Sequence, residues 1–308
     1  MSSELESTVA AGVIGNIISV VGVVICNKYI VEVDGFRYTV FLSFLHFAFT
    51  TMGTRVLLNL NQFVYKDADA RNVFPVAVGS LLSVAFMNLN LTYNSVGFYQ
   101  LSKLICIPVT LIIQYFAYKQ SVSRIIQFTL MPILFGVGYA TVYDLDVNFT
   151  GTVFATFAVL ATTVSQIFTN TYQKSLDCNA MQLLYHTSPL ISLGMLVMAP
   201  FFDDIPAMLR FRNTPMGVFR IFLSCCFALG VNISNYLVLG KTSPLTYQVL
   251  GHLKTILILV LGFTVFEKPL DGRNCLGITI AMMGVISYTE IKRRQQLKQA
   301  SLPSKLEK

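Results

Sequence analysis

Residues 246–263 read TYQVLGHLKTILILVLGF. Eighteen residues of helix extend about 27 Å at 1.5 Å per residue, close to the roughly 30 Å hydrocarbon core of a bilayer. The stretch therefore reads as a membrane helix. His252 and Lys254 nevertheless stand in its middle, and it contains no Asp or Glu. A charge at the centre of a membrane helix costs roughly 2.5–3.5 kcal/mol on insertion scales. A sequence that keeps such a cation signals a site.

The rest of the chain has the same character. Of 308 residues, 54% are hydrophobic and 12% charged, against about 25% charged in soluble domains. This composition implies a polytopic membrane protein. Ten apolar runs are long enough to span, at approximately 8–31, 37–58, 72–92, 96–118, 124–143, 149–172, 181–201, 217–238, 243–266 and 272–291. MSSELESTVA carries Glu4 and Glu6 where a signal peptide has Lys or Arg, so the first run is expected to remain as a membrane helix. The expected organisation is a cytosolic N-terminus at 1–7, five helices over 8–143, five more over 149–291, and a disordered basic tail at 292–308.

Lys and Arg near helix ends set orientation. One side collects Arg55, Lys66, Arg71, Lys119, Arg124, Lys174, Lys241 and the tail, 13 in all; the other side holds 6. Both termini are expected in the cytosol. The net charge of +7 is then mainly this bias and not a nucleic-acid surface, because no basic patch with interleaved aromatics lies outside the membrane. The six cysteines form no CxxC or Cys/His cluster, so no metal is expected, and they read as small packing residues. The sequons at Asn90, Asn148 and Asn232 lie in or against spans and are expected to stay unmodified.

The chain repeats itself. SVGFYQL at 95–101 aligns with SPLTYQV at 243–249, and the same offset pairs Gly136 with Gly284 and Thr141 with Thr289. More weakly, CNKY at 26–29 echoes TNTY at 169–172, and His46 corresponds to His186. A repeat of five helices inverts the second copy across the membrane. Inverted repeats are characteristic of secondary transporters, with substrate bound near the midplane.

Three lysines fall within the spans, Lys28, Lys103 and Lys254, and no carboxylate falls in a span interior, so a structural salt bridge is not expected for them. Lys28 is near enough to a helix end to snorkel. Lys103 and Lys254, entering from opposite ends of helices in opposite halves, reach similar depths, about 11 and 14 Å from the lumenal edge. Two such cations imply an anion with more than one negative charge, and phosphate or diphosphate fits. Without membrane carboxylates, exchange of anions is favoured over ion-driven symport. His46 and His186 are alternatives as proton carriers but read more simply as hydrogen-bonding residues. Tyr99, Gln100, Tyr247, Gln248, His252, Thr255 and Asn170 are neutral or aromatic candidates to hold a ligand, in competition with roles as polar glue between helices.

GKTSPLTYQVLGHLKT (240–255), VICNK (24–28), NSVGFYQLSKL (94–104) and QLLYHTSP (182–189) resemble the Lys-Thr group of nucleotide-sugar transporters. That group is related to the triose-phosphate translocators within the drug/metabolite transporter superfamily. The likeness is closest to plant UDP-xylose and UDP-rhamnose/UDP-galactose transporters. It implies an all-α polytopic fold of ten helices as an inverted five-plus-five repeat, no cofactor and no enzymatic activity. It also implies a Golgi or ER location and import of a UDP-sugar in exchange for UMP. By this resemblance Lys254 and Thr255 match the Lys-Thr pair, with the lysine on phosphate. Lys103, Tyr99 and Gln100 match the motif of the fourth helix. The triose-phosphate branch has Lys-Arg at the pair, so Thr255 argues against a sugar-phosphate/phosphate translocator. A transport-inactive scaffold is the remaining alternative, and a homodimer is an alternative to a monomer.

Overall fold

The structure, a computed structural model, describes residues 2–94, 96–141, 149–265 and 272–301. Its described residues form eleven helices and no strand: α1 (Ser2–Glu32), α2 (Thr39–Asn59), α3 (Ala70–Tyr93), α4 (Val96–Tyr118), α5 (Arg124–Thr141), α6 (Phe149–Ser175), α7 (Ala180–Phe202), α8 (Ile205–Arg210), α9 (Pro215–Lys241), α10 (Pro244–Val265) and α11 (Gly272–Ser301). Eight of them are long and apolar enough to cross a membrane, and α5 carries a shorter apolar segment. The protein is an all-helical, multi-pass membrane protein.

Several helix starts follow from local chemistry. Asn179 and Gln182 form a reciprocal capping box at α7, and Asp69 caps α3 through the Arg71 N–H. Thr214 accepts from the Gly217 N–H, with Pro215 opening α9. Asp204 caps α8 in the same way. This six-residue helix lies between α7 and α9; the Asp-x-Pro sequence that follows α7 also starts a new turn.

α1 already begins at Ser2. One expectation is corrected. The tail is helical as far as Ser301, where disorder was expected from residue 292. Glu290 accepts from Arg293 and Arg294 three and four residues on, and no Gly or Pro interrupts the run before Pro303. Such pairs support a helix beyond its apolar span.

The chain divides into two compact units. Unit 1, residues 1–94 and 148–247, holds α1–α3, α6–α9 and the first residues of α10. In it α1 packs on α9, α3 on α6, and α2 on α7, with further contacts of α2 on α9 and α3 on α7. Its core includes Val40, Phe47, Ala77, Ala85, Ile191 and Met195. Side-chain hydrogen bonds join these helices. Asn16 donates to Ser234 and Asn235, Ser80 pairs with Ser165, Ser83 with Thr162, and Asn232 donates to Thr50. Unit 2, residues 95–147 and 248–308, packs α5 on α11 and α4 on α5. Here the backbones themselves come close. A Cβ on Gly277 would lie 2.7 Å from the Ala140 nitrogen, and one on Gly136 would strike the backbone at Ala281. Small residues permit such close approach where lipid supplies no hydrophobic drive between helices.

The cysteines are unpaired with one another, and Cys26, Cys106, Cys178 and Cys225 are buried. Asn90 is also buried, in α3; Asn148 lies outside the described residues.

Candidate anion site

Lys103 and Tyr99 lie one turn apart on α4, and the Lys103 ammonium sits 4.3 Å from the Tyr99 ring centroid. The ring's negative face steadies a cation that has left bulk water. Lys254 projects from α10 within Coulombic reach of Lys103, and His252 lies within reach of both. His252 is 5% exposed, and its Nε2 has no hydrogen-bond partner among the described residues. Like charges held within such reach repel, and more strongly as water is excluded. An anion bearing two negative charges relieves that repulsion, and a buried imidazole N–H provides a donor beside it. All of these groups belong to unit 2.

The registry of α10 against α4 is fixed by Gln248, whose Nε2 donates to Thr110 Oγ1 at 2.6 Å. Thr110 was not among the sequence candidates. Its spacing of seven residues from Lys103 puts it on the same helix face and was the available signal. Gln248 thus has a packing contact as well as a place near the site. Thr255 Oγ1 turns back to the Gly251 carbonyl at 3.3 Å, and Thr255 is buried. Tyr247 is half-buried near the start of α10, at the end of unit 1. The side chain of Gln100 lies outside the described residues.

Two predicted residues have other surroundings. The Asn170 amide donates to the carbonyls of Leu239 and Thr242 and accepts from Lys174 at 3.0 Å, which ties α6 to the end of α9. Lys28 corrects the expectation that no carboxylate reaches the intramembrane lysines. It pairs with Glu32 at 3.8 Å, one turn on, with both side chains more than a third exposed. The helix continues to Glu32, so the acidic residue assigned to its edge comes within i,i+4 range.

The histidines outside this site are hydrogen-bonded within unit 1. Ser224 Oγ donates to Asn27 Oδ1 at 2.6 Å, so the His46 Nε2–H donates to the Ser224 oxygen at 2.9 Å. His186 Nε2 bonds the Lys66 carbonyl at 2.8 Å. A cavity of about 370 Å³ in unit 1 is lined by Lys174, Lys241, Gln173, Asp177 and Cys178, and none of the predicted site residues lines it.

Known proteins with similar sequences are transporters. UDP-xylose transporter 3 of Arabidopsis thaliana is 41% identical over 277 residues, covering 89% of this chain and 78% of the relative. UDP-rhamnose/UDP-galactose transporter 1 of the same plant is 33% identical over 279 residues, covering 89% and 80%. A solved crystal structure superposes with a TM-score of 0.70 at 11% identity, covering 93% of this chain and 99% of that one, a likeness of fold. Residues 15–289 match the Triose-phosphate Transporter family, and the chain belongs to that family.

Proposed function

We propose that this protein is a nucleotide-sugar antiporter which imports a UDP-sugar into the Golgi or ER lumen in exchange for UMP, by alternating access. The observation that carries this reading is the Lys103–Lys254 pair with the buried His252 beside it. Lys103 and Lys254 hold the phosphates, and His252, Tyr99, Gln100, Gln248, Thr255 and Tyr247 serve the rest of the ligand. Lys28 and Asn170 are placed at the margin, given the partners described above. The relatives' names supply the substrate class: they transport UDP-xylose, UDP-rhamnose and UDP-galactose.

We read the long helices as a ten-helix inverted repeat, which fits the same function. Leaving out the short α8, the long helices number ten among the described residues. Exchanging the first five for the last five turns the α1–α9 packing into α6–α3 and the α2–α9 packing into α7–α3. The α2–α7 and α5–α11 pairs map onto themselves. These packings support the repeat that the sequence suggests. Both termini then face the cytosol, as the basic residues imply.

The test is uptake of labelled nucleotide sugars into proteoliposomes loaded with UMP, GMP or CMP. Uptake of UDP-sugars driven by internal UMP supports the antiporter. Exchange of only inorganic phosphate or triose phosphate moves the protein to the translocator reading. Rapid uptake into empty vesicles rules out obligatory exchange.

A further inference from the structure

The cavity of about 370 Å³ in unit 1 lies where α6 and α9 end and α7 begins, at the boundary of the spans and not at their middle. Lys174 in the last turn of α6 and Lys241 in the last turn of α9 both line it, and both are exposed. A lysine in a last turn complements the helix dipole, which accounts for each one singly. Neither helix end requires that the two meet on one cavity. The carboxylate in the lining, Asp177, is taken up by Lys66, which lies outside the lining. Lys66 Nζ stands 3.5 Å from Asp177 Oδ2 and donates to the Asp177 carbonyl at 2.8 Å. Lys174 reaches the neutral Asn170 Oδ1 at 3.0 Å, and neither Lys174 nor Lys241 is in an ion pair among the described residues. With Asp177 balanced by Lys66, the two lysines leave the cavity positive.

The walls are held by specific contacts. Gln173 is 6% exposed and donates to the Tyr236 carbonyl at 3.0 Å. Gly240 makes room for it, since a Cβ there would overlap the Gln173 side-chain oxygen. Phe63, Met181 and Leu237 add apolar surface. The volume falls in the range of small-molecule sites, about 300–1,000 Å³, so the cavity suits a charged group with a body attached. An ester phosphate carries about 1.5–2 negative charges at neutral pH and matches two ammonium groups. Basic recesses between membrane helices on the cytoplasmic side hold lipid head-group phosphates, and the orientation read from the basic residues puts this end there.

We propose that this cavity is a second anion site, for the phosphate monoester of a small organic phosphate or of a lipid head group. The phosphate lies between Lys174 and Lys241, with the body against Phe63, Met181 and Leu237. The site is wholly within unit 1, and its occupancy does not depend on the antiporter reading.

The experiment places the full chain in phosphatidylcholine nanodiscs. Phosphatidic acid in the disc supplies the phosphate monoester as a lipid; glycerol 3-phosphate in solution supplies the same head group free. Melting temperature and N-ethylmaleimide alkylation of Cys178, which lines the cavity, are read for wild type, Lys254→Ala and the Lys174→Gln/Lys241→Gln double variant. A ligand stabilises the state that binds it, and a rise of about 3 °C or more is expected for wild type and Lys254→Ala alike. The double variant should show none. Alkylation of Cys178 should slow by about fivefold at a few multiples of Kd, with Cys275, exposed on α11, unchanged. A response to phosphatidic acid alone assigns the site to lipid, and one to glycerol 3-phosphate alone assigns it to a free organic phosphate; a response to both assigns it to the head group itself. No rise in either arm, or a rise that survives in the double variant, overturns the proposal. A rise that Lys254→Ala abolishes also overturns it, by moving the binding to unit 2. An equal rise with phosphatidylserine in place of phosphatidic acid overturns it as well, because charge alone is then being read. If the double variant does not fold, Lys241→Gln decides by the same criteria. If Cys178 does not react in phosphatidylcholine alone, the melting temperatures decide.

Discussion

The two units use their polar residues differently. In unit 1, Asn16, His46, Thr50, Ser80, Asn170, Ser224 and Asn232 bond across helices, and they bind α1, α2, α3, α6 and α9 into one body. Unit 2 joins α5 to α11 by bare backbone contact at Gly136 and Gly277 and α10 to α4 by the Gln248–Thr110 bond, while Lys103, Lys254 and His252 lie within Coulombic reach of one another in it. A polar group in a membrane protein either finds a protein partner or serves a ligand, because the hydrocarbon satisfies neither. The residue type does not distinguish the two cases. Asn170 and His252 were both candidates by sequence, yet one has its amide engaged on backbone carbonyls and the other keeps an unpartnered Nε2 among the described residues.

The sharpest way to break this contrast is to remove charge from unit 2. Lys254→Ala is expected to abolish nucleotide exchange, with a binding loss of about 2–5 kcal/mol, while the protein still inserts and melts as a folded species. Retained uptake would remove Lys254 from the site. Closing the tight backbone contact is next. Gly136→Leu forces a side chain into the Ala281 backbone and should destabilise by about 1–3 kcal/mol or more through overpacking, seen as a lower melting temperature and poorer yield. If it melts like wild type, α5 and α11 are not held as described.

A third variant tests the glue. Asn170→Leu leaves the carbonyls of Leu239 and Thr242 without this donor and is expected to cost about 1–3 kcal/mol of stability. The KM for substrate should stay within about twofold. A large KM change at unchanged stability would return Asn170 to the binding site.

The smallest expected effect lies outside the spans. Asp203 receives the Phe41 N–H at 2.7 Å and fastens the end of α7 to the start of α2. Burial raises its carboxyl above the usual range, against the opposing pull of the Phe41, Val40 and Thr39 N–H groups. A raised acid binds its proton more tightly in the folded state. Its contribution is therefore fully present below the unfolded value near 4 and is lost as pH rises through the folded one. Asp203→Asn should flatten that slope in melting temperature against pH. An identical slope in the variant would show that other groups set it.

Much of this architecture is written in the chain. The apolar runs locate the ten long helices among the described residues, apart from the extra turns at the start of α1 and the end of α11, because 20 or so apolar residues in lipid have little choice but to become helix. Asn179, Asp69 and Thr214 mark helix starts by chemistry that acts within four residues. Lys103 and Lys254 stand out for the same local reason, an intramembrane charge with no carboxylate nearby in sequence. Packing decided the rest. It drew Lys103, His252 and Lys254 into mutual reach, bonded Gln248 to Thr110, and engaged Asn170 and His46 within unit 1. A sequence sets which face of its own helix a residue occupies; what that face meets depends on a second helix that can lie 218 residues away.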